Sequence, residues 1–375
     1  MKFKRLLIPS LLALCLFCLT SCDIEGFIKD NTSLGDIDPN DIIDNIVNGD
    51  PDYVPVDIDE TNLDYGYLDL QRYETKKEQL TGLYTEIDNI LADFMTNGQT
   101  LTPTTRQIGD ETSSYYIIKD RVSYSYYGLS YQEAASVYKC VLLDNPEYYF
   151  VSNTLVNGNI GSVYFLTLIC DPDYADGTVR TTYNNMITAY DAQVKTELEG
   201  LSNPLEKVQA IHDYITTHAR YAFKADGVTP DDSTFAHNLL GIVKDQKGVC
   251  ESYAELFHYL LKNNGVESIM VTGDAWTDLP KTGSGESHAW NYVKFNYEVS
   301  GETVSRWYGF DVTWDDPVPD TPSLKTTYFG YYYFNHNLYT FLDSHVPDAN
   351  GDLSKGINYL YKLPTLVEEN LLTVH

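Results

Sequence analysis

The stretch Lys247-Gly248-Val249-Cys250-Glu251-Ser252-Tyr253-Ala254 constrains this chain more than any other, because a glycine-marked loop ends on a cysteine and turns at once into an amphipathic helix. Apolar residues recur at Tyr253, Leu256, Phe257, Leu260 and Leu261, the spacing of one helix face, and Asn263-Asn264-Gly265 supplies the left-handed stop expected at a helix end. The buried face is thereby fixed, and Cys250 is left at the helix N-terminus. Unpaired N–H groups and the macrodipole at that end favour an anion. The thiol pKa is therefore expected to fall, and N–H donors are expected beside any carbonyl the sulfur attacks.

Two later segments offer partners for such a thiol. His288 opens Ser287-His288-Ala289-Trp290-Asn291-Tyr292-Val293-Lys294-Phe295, and Asp311 ends Trp307-Tyr308-Gly309-Phe310-Asp311; both are aromatic-rich and strand-like, with a turn-prone Val299-Ser300-Gly301 between them. They predict an antiparallel hairpin. A turn centred on Val299-Ser300 puts His288 opposite Asp311, whereas one centred on Ser300-Gly301 makes them diagonal neighbours on one face. Opposed Cβ atoms lie about 5 Å apart and diagonal ones roughly 7 Å, so either register allows an imidazole–carboxylate hydrogen bond.

Cys, His and Asp in this relation are a nucleophile, a base and the group that fixes the base's tautomer. Taken singly they read more simply, as a small core hydrophobe, a satisfied polar group and a turn cap. The combination of a helix start with two facing strands is what points to catalysis. Beyond Cys22 the chain has no Cys-x-x-Cys or His-x-x-x-His pair to supply further ligands, so no metal is expected on these residues.

Gly248-Val249-Cys250-x-x-Tyr253-Ala254, His288-Ala289-Trp290-Asn291 and Asp311-Val312-Thr313-Trp314-Asp315-Asp316-Pro317 resemble, in that order, the three core motifs of bacterial transglutaminase-like domains. His212-Asp213-Tyr214-Ile215 and Arg220-Tyr221 are similar to the segments that precede the cysteine in that family, so the resemblance covers roughly the second half of the chain. It implies a papain-like, transglutaminase-like α+β core with the nucleophile on a helix N-terminus packed on an antiparallel sheet. It also implies acyl transfer or amide hydrolysis on protein or peptide substrates, cell-wall peptide among them, through a thioester on Cys250. His288 would then be the general acid and base and Asp311 its orienting carboxylate, without a cofactor. Gln246 and Tyr221 are candidates by position for a second oxyanion donor, and Trp290 for lining the site.

Met1-Lys2-Phe3-Lys4-Arg5 is a basic start, and Leu6 to Leu19 is an apolar run too short for a comfortable membrane span, so residues 1–21 read as an export signal. Leu19-Thr20-Ser21-Cys22 resembles the lipobox of bacterial lipoproteins, which would make Cys22 a lipidated mature N-terminus on the extracytoplasmic face of the cell membrane. Residues 22–62 are rich in Asp, Asn, Pro and Gly without apolar periodicity and read as an acidic disordered tether. Asp36-x-Asp38-x-Asn40 and Asp348-x-Asn350-x-Asp352 fall short of a calcium loop, the latter with Leu353 where the turn glycine belongs, and read as solvated turns.

Residues 63–200 read as a helix and strand domain. Helices are expected over Tyr73 to Met95, from the capping box Ser130-Tyr131-Gln132-Glu133 through Leu143, and over Thr181 to Leu198. Strands are expected over Tyr115 to Tyr127, with a turn at Lys119-Asp120, and over Val151 to Leu155 and Ser162 to Ile169. Residues 201–375 read as the catalytic domain, opening on a helix capped by Asn203 with Pro204 at its first position. His212, beside the apolar face of that helix, reads as a buried structural histidine and not a second base, whereas His218, His237 and His258 show no pairing pattern and read as structural or exposed. The Tyr- and Phe-rich run Thr326 to Phe341 is expected to pack as a closing strand pair.

With 54 acidic against 25 basic side chains the formal net charge is -29, which argues against nucleic acid and against anionic lipid held by charge. Beyond Cys22 only Cys140, Cys170 and Cys250 remain, so either all three are free or Cys140 pairs with Cys170. The alternative to an enzyme is a surface binding or scaffolding lipoprotein that keeps the fold without turnover.

Overall fold

The computed structural model describes residues 76–108, 111–152, 154–276, 281, 283–299, 302–316, 333–348 and 363–368. The export signal, Cys22, the tether and nearly all of the second Asp/Asn cluster lie outside the described residues. In chain order the elements are α1 (Lys77–Thr96), β1 (Thr104–Ile108), β2 (Glu111–Val122), α2 (Tyr131–Asp144), β3 (Val156–Ile160), β4 (Val163–Cys170), α3 (Gly177–Glu197), α4 (Pro204–His218) and β5 (Arg220–Tyr221). They continue with α5 (Leu240–Asp245), β6 (Lys247–Gly248), α6 (Cys250–Asn263), β7 (Ser268–Ala275), β8 (Glu286–Val299), β9 (Glu302–Phe310), α7 (Val312–Asp315), α8 (Leu338–Leu342) and β10 (His345–Pro347).

Three sheets organise these elements. β1-β2-β4-β3 and β10-β7-β8-β9 are antiparallel throughout, and β5 pairs with β6 in parallel. Helix α6 runs between α4 and the second sheet, burying Tyr253, Leu256, Phe257, Leu260 and Leu261. The fold is α+β and transglutaminase-like. No helix among the described residues is long and apolar enough to cross a membrane.

Local sequence explains most boundaries. Glu133 bonds back to the Ser130 N–H at 2.8 Å while the Ser130 hydroxyl receives Glu133 N–H, closing the capping box that starts α2. Asn203 accepts from Leu205 N–H at 2.9 Å and Pro204 takes the first position of α4, where its missing N–H costs nothing. Lys119-Asp120, expected to turn, instead lies in a continuous β2 whose register against β4 shifts there, with Arg121 at φ 63. This is a bulge, which bends a strand without ending it. The strand expected at Val151 to Leu155 starts at Val156, and Val151 makes only an isolated bridge to Cys170.

The described part of the aromatic run is not a strand pair. Asn337 accepts from Thr340 N–H at 3.1 Å and so nucleates α8, whose Phe341 is buried, and β10 follows to edge the second sheet. Gly200 sits in the left-handed region at φ 85, at the break between α3 and α4 where the domain boundary was expected. One hydrophobic core nevertheless runs across that point, from Leu80 of α1 to Leu366. Polar ties also cross it: His258 and Lys262 of α6 both bond the Asp144 carbonyl, at 3.3 and 3.0 Å.

Candidate active site

The site forms where the start of α6 meets the β8–β9 hairpin and the segment after it. β6 delivers Cys250: a Cβ at Gly248 would overlap the Ser252 side chain, so glycine is what lets the loop fold back against the first turn of its own helix. Val249 N–H bonds Ala236 O at 2.9 Å and pins the cysteine's neighbour to the turn ending at His237. Val249 gives α6 no side-chain cap, so the first N–H groups of the helix remain directed at the site.

The hairpin adopts the second of the two registers. Val299 pairs with Glu302 and Asn291 with Phe310, a register that offsets His288 from a position directly opposite Asp311. His288 Nε2 lies 2.7 Å from Asp311 Oδ2. That bond leaves His288 Nδ1 as the nitrogen open to a thiol, and the adjacent Ala289 N–H directs a hydrogen bond to the Cys250 sulfur. The Trp314 ring stacks on the imidazole with centroids 4.8 Å apart. Cys250, His288 and Asp311 are thus brought together.

A second imidazole, His345, completes the carboxylate's shell. Its Nε2 donates to the same Asp311 Oδ2 at 3.1 Å, while its Nδ1 meets Ser344 Oγ at 2.8 Å and its ring stacks on Phe341 at 4.2 Å. Asp311 Oδ1 accepts the Thr313 and Trp314 N–H groups at 3.0 and 3.1 Å as the cap of α7. Burial opposes ionisation of Asp311, but His288 and then His345 outweigh it and hold the carboxyl well below its usual range. Burial, with His288 nearby, pushes His345 down against the pull of Asp311, so it stays neutral and donates through Nε2.

His288, Asp311 and His345 place three potential metal-ligand atoms within 4.8 Å of one another. Their spacing is that of hydrogen bonds. A zinc ion about 2.1 Å from each atom would hold nitrogen and oxygen more than ~3 Å apart, which the His288 contact at 2.7 Å does not allow.

The thiol departs from expectation. Its hydrogen points to Glu251 Oε2, 3.0 Å away, and Glu251 Oε1 lies 3.3 Å from His237 Nδ1. Burial first, then the Glu251 charge, push the Cys250 pKa well up; the Ala289 N–H acts the other way and is outweighed. The opposite expectation rested on the helix N-terminus and the imidazole and left out a carboxylate one residue away. Cys140 and Cys170 are both buried and free, so the pairing considered for them is not made. Burial pushes their thiols up as well, that of Cys170 to about 12.

The remaining candidates separate. Burial, then the neighbouring Cys250 and the carboxylates of Glu251, Glu286 and Asp311, push the Tyr221 phenol well up, leaving an O–H donor at the site. Gln246 is exposed and left-handed at φ 54, and caps α5 through its N–H. Trp290 is fully buried, edge-on to His345 at 4.9 Å, and buttresses the second imidazole. His212 is buried between Asp213 at 2.9 Å and Asp315 at 3.1 Å, tying α4 to α7. His345 and His237 carried no sequence signal: each meets its carboxylate through the fold, 34 residues from Asp311 in the first case.

Residues 192–312 match the family model described as the transglutaminase-like superfamily. Kyphoscoliosis peptidase of Mus musculus is 28% identical over 218 residues, covering 55% of this chain and 30% of that protein. The Homo sapiens protein of the same name is 30% identical over 209 residues, covering 52% and 30%. The chain spans under a third of the length of these curated relatives. A solved TGase structure is 17% identical, with a TM-score of 0.27 over 44% of this chain and 45% of the other. The chain therefore carries a transglutaminase-like domain, matched over residues 192–312 and containing Cys250, His288 and Asp311.

Proposed function

We propose that the protein is a transglutaminase-like cysteine enzyme that opens amide bonds of proteins or peptides through a thioester on Cys250. The observation that carries this is the Asp311–His288 bond at 2.7 Å beside the start of α6, with Nδ1 left for the thiol. In the first half-reaction the Cys250 S–H turns from Glu251 toward His288 Nδ1. The sulfur bonds to the substrate carbonyl carbon, the C–N bond breaks, and the thiol proton leaves with the amine through His288. N–H groups at the start of α6 and the Tyr221 hydroxyl are the donors available to the developing oxyanion. Hydrolysis is the outcome we favour, and the likeness to proteins named peptidases supports it.

Incubating the full chain with dimethylated casein and mapping the products by mass spectrometry tests the reading. New chain ends or deamidated glutamines absent with Cys250→Ala are expected, and identical maps for both proteins would refute it. We further propose anchoring through a lipid on Cys22 at the extracytoplasmic face, supported by Leu19-Thr20-Ser21-Cys22 at the end of the apolar run. Partition into detergent that persists unchanged in Cys22→Ala would refute the anchor.

A further inference from the structure

The acyl-enzyme has to be resolved by a second nucleophile, and the proposed triad alone does not say what holds it. Glu251 offers one carboxylate oxygen to the Cys250 thiol at 3.0 Å and the other to His237 Nδ1 at 3.3 Å, with its side chain only 13% exposed. His237 Nε2 lies 3.0 Å from the Asp231 carbonyl, which can only accept, so that nitrogen carries a proton. A carboxylate at Nδ1 calls for a proton there as well. The pair is then an imidazolium beside a carboxylate, and His237 is correspondingly held above its ordinary pKa: burial opposes this and Glu251 outweighs it.

This arrangement acquires a consequence once Cys250 is acylated. A thioester sulfur has no proton to donate, so Glu251 Oε2 loses the thiol hydrogen while remaining largely buried; the carboxylate keeps His237 and its own backbone N–H, and the lost hydrogen bond still costs free energy. The ion pair with His237 is neutral overall, so the vacancy calls for a neutral hydrogen-bond donor and not for a cation. We propose that Glu251, held ionised by His237, is a further catalytic residue that binds the water which hydrolyses the Cys250 thioester.

The role rests on the acyl-enzyme reading above and begins only after acylation. Water donates one hydrogen to Glu251 Oε2 and presents its oxygen to the thioester carbon, and its other hydrogen goes to His288 Nδ1, which is neutral again after releasing the amine. The C–O bond forms, the C–S bond breaks, and His288 returns the proton to the sulfur. The products are a carboxylic acid and the free thiol, which again finds Glu251 Oε2. The thiol and the water thus use one acceptor in turn: Glu251 holds the resting S–H before acylation and the water after it.

The test separates loading from decay. The full chain is acetylated with p-nitrophenyl acetate, excess reagent is removed, and loss of the acetyl group is followed by intact-mass spectrometry. In Glu251→Gln, which keeps the shape and removes the charge, we expect decay at least tenfold slower than wild type while loading, with the thiol no longer held protonated by that charge, is not slowed. His237→Gln leaves Glu251 in place without its counter-charge, and we expect a smaller slowing in the same direction; it serves also if Glu251→Gln does not fold. Unchanged decay in either variant that loads normally would overturn the proposal, as would equal losses in loading and decay. Failure of the wild-type chain to acquire an acetyl group on Cys250 would be a different result: it removes the acyl-enzyme itself and the inference with it.

Discussion

The two sides of the site are built on different terms. On the sheet side, Asp311 accepts from two imidazoles and two backbone N–H groups, so every lone-pair direction of the carboxylate is used and His288 is held by a group that has nowhere else to go. On the helix side, the thiol is directed at Glu251, and burial with that charge keeps it protonated. In the proposed mechanism the base is fixed in advance, whereas the nucleophile rests in a neutral state that it would leave when substrate turns the S–H toward His288. The contrast teaches that preorganisation need not extend to every member of a triad. A buried thiolate would be reactive toward any oxidant, while a buried thiol is inert until the base is engaged.

The sheet side breaks hardest. Asp311→Asn keeps the shape of the carboxylate but turns one acceptor oxygen into an NH2 that faces two donors, either the imidazoles or the Thr313 and Trp314 N–H groups, so we expect turnover to fall by about 10⁴, the loss known for the corresponding change in a serine triad. Steady-state kinetics on a casein-derived peptide substrate would measure this, and a loss below tenfold would show that the carboxylate is not needed. His345→Gln should cost less, about tenfold to a hundredfold in kcat with little change in KM, because it loosens Asp311 without touching substrate. The same variant should shift the acidic limb of the pH–kcat profile, since Asp311 would then act on His288 alone. A variant that loses stability but keeps both kcat and that limb would make His345 a packing residue.

The helix side yields smaller effects of known sign. The resting Cys250 thiol should be alkylated by iodoacetamide with a midpoint above the ~8.5 of a free cysteine. Removing the Glu251 charge in Glu251→Gln should bring that midpoint down, which peptide mapping over a pH series would read. A wild-type midpoint below neutrality would mean that the helix N-terminus and His288 dominate after all. A control lies further along α6, where His258 is buried between Ser268 and the Asp144 carbonyl. Burial, with Lys262 nearby, pushes it down from 6.5 to about 4. A histidine whose folded pKa is depressed stabilises the fold above its unfolded pKa and loses that contribution as pH falls toward the folded value. About 3 kcal/mol should therefore disappear between pH ~6.5 and ~4 and be absent from the pH dependence of His258→Gln, as urea midpoints would show.

How much of this was legible in the sequence follows the distance over which each feature is encoded. The caps at Ser130 and Asn203, and the helix from Cys250 to its glycine stop, are written in three or four consecutive residues, and all formed where expected. The β8–β9 hairpin was legible up to its register, because a turn-prone triplet admits two centres and only packing against β7 and α6 chooses between them. Lys119-Asp120 and the described part of the aromatic run, residues 333–341, misled for one reason. Composition predicts whether a segment is apolar and extended, but a bulge or a single Asn cap decides what it becomes. His345 and His237 were not legible at all, since a lone histidine gains a partner only when the chain brings one to it. The thiol was misjudged because the favourable effects, the helix dipole and the imidazole, were weighed without the adjacent carboxylate and the burial that oppose them.

The account stands most directly on acyl transfer to Cys250 by the action of His288. The full chain and its Cys250→Ala and His288→Ala variants would be treated with p-nitrophenyl acetate at neutral pH, and the acetylation site and rate read by intact-mass and peptide mass spectrometry. The expected result is a single acetyl group on Cys250 of the wild type, none at that position in Cys250→Ala, and loading slowed by about 10² or more in His288→Ala. An acetyl group that maps to other residues, or loading of Cys250 that is as fast without His288 as with it, would contradict it.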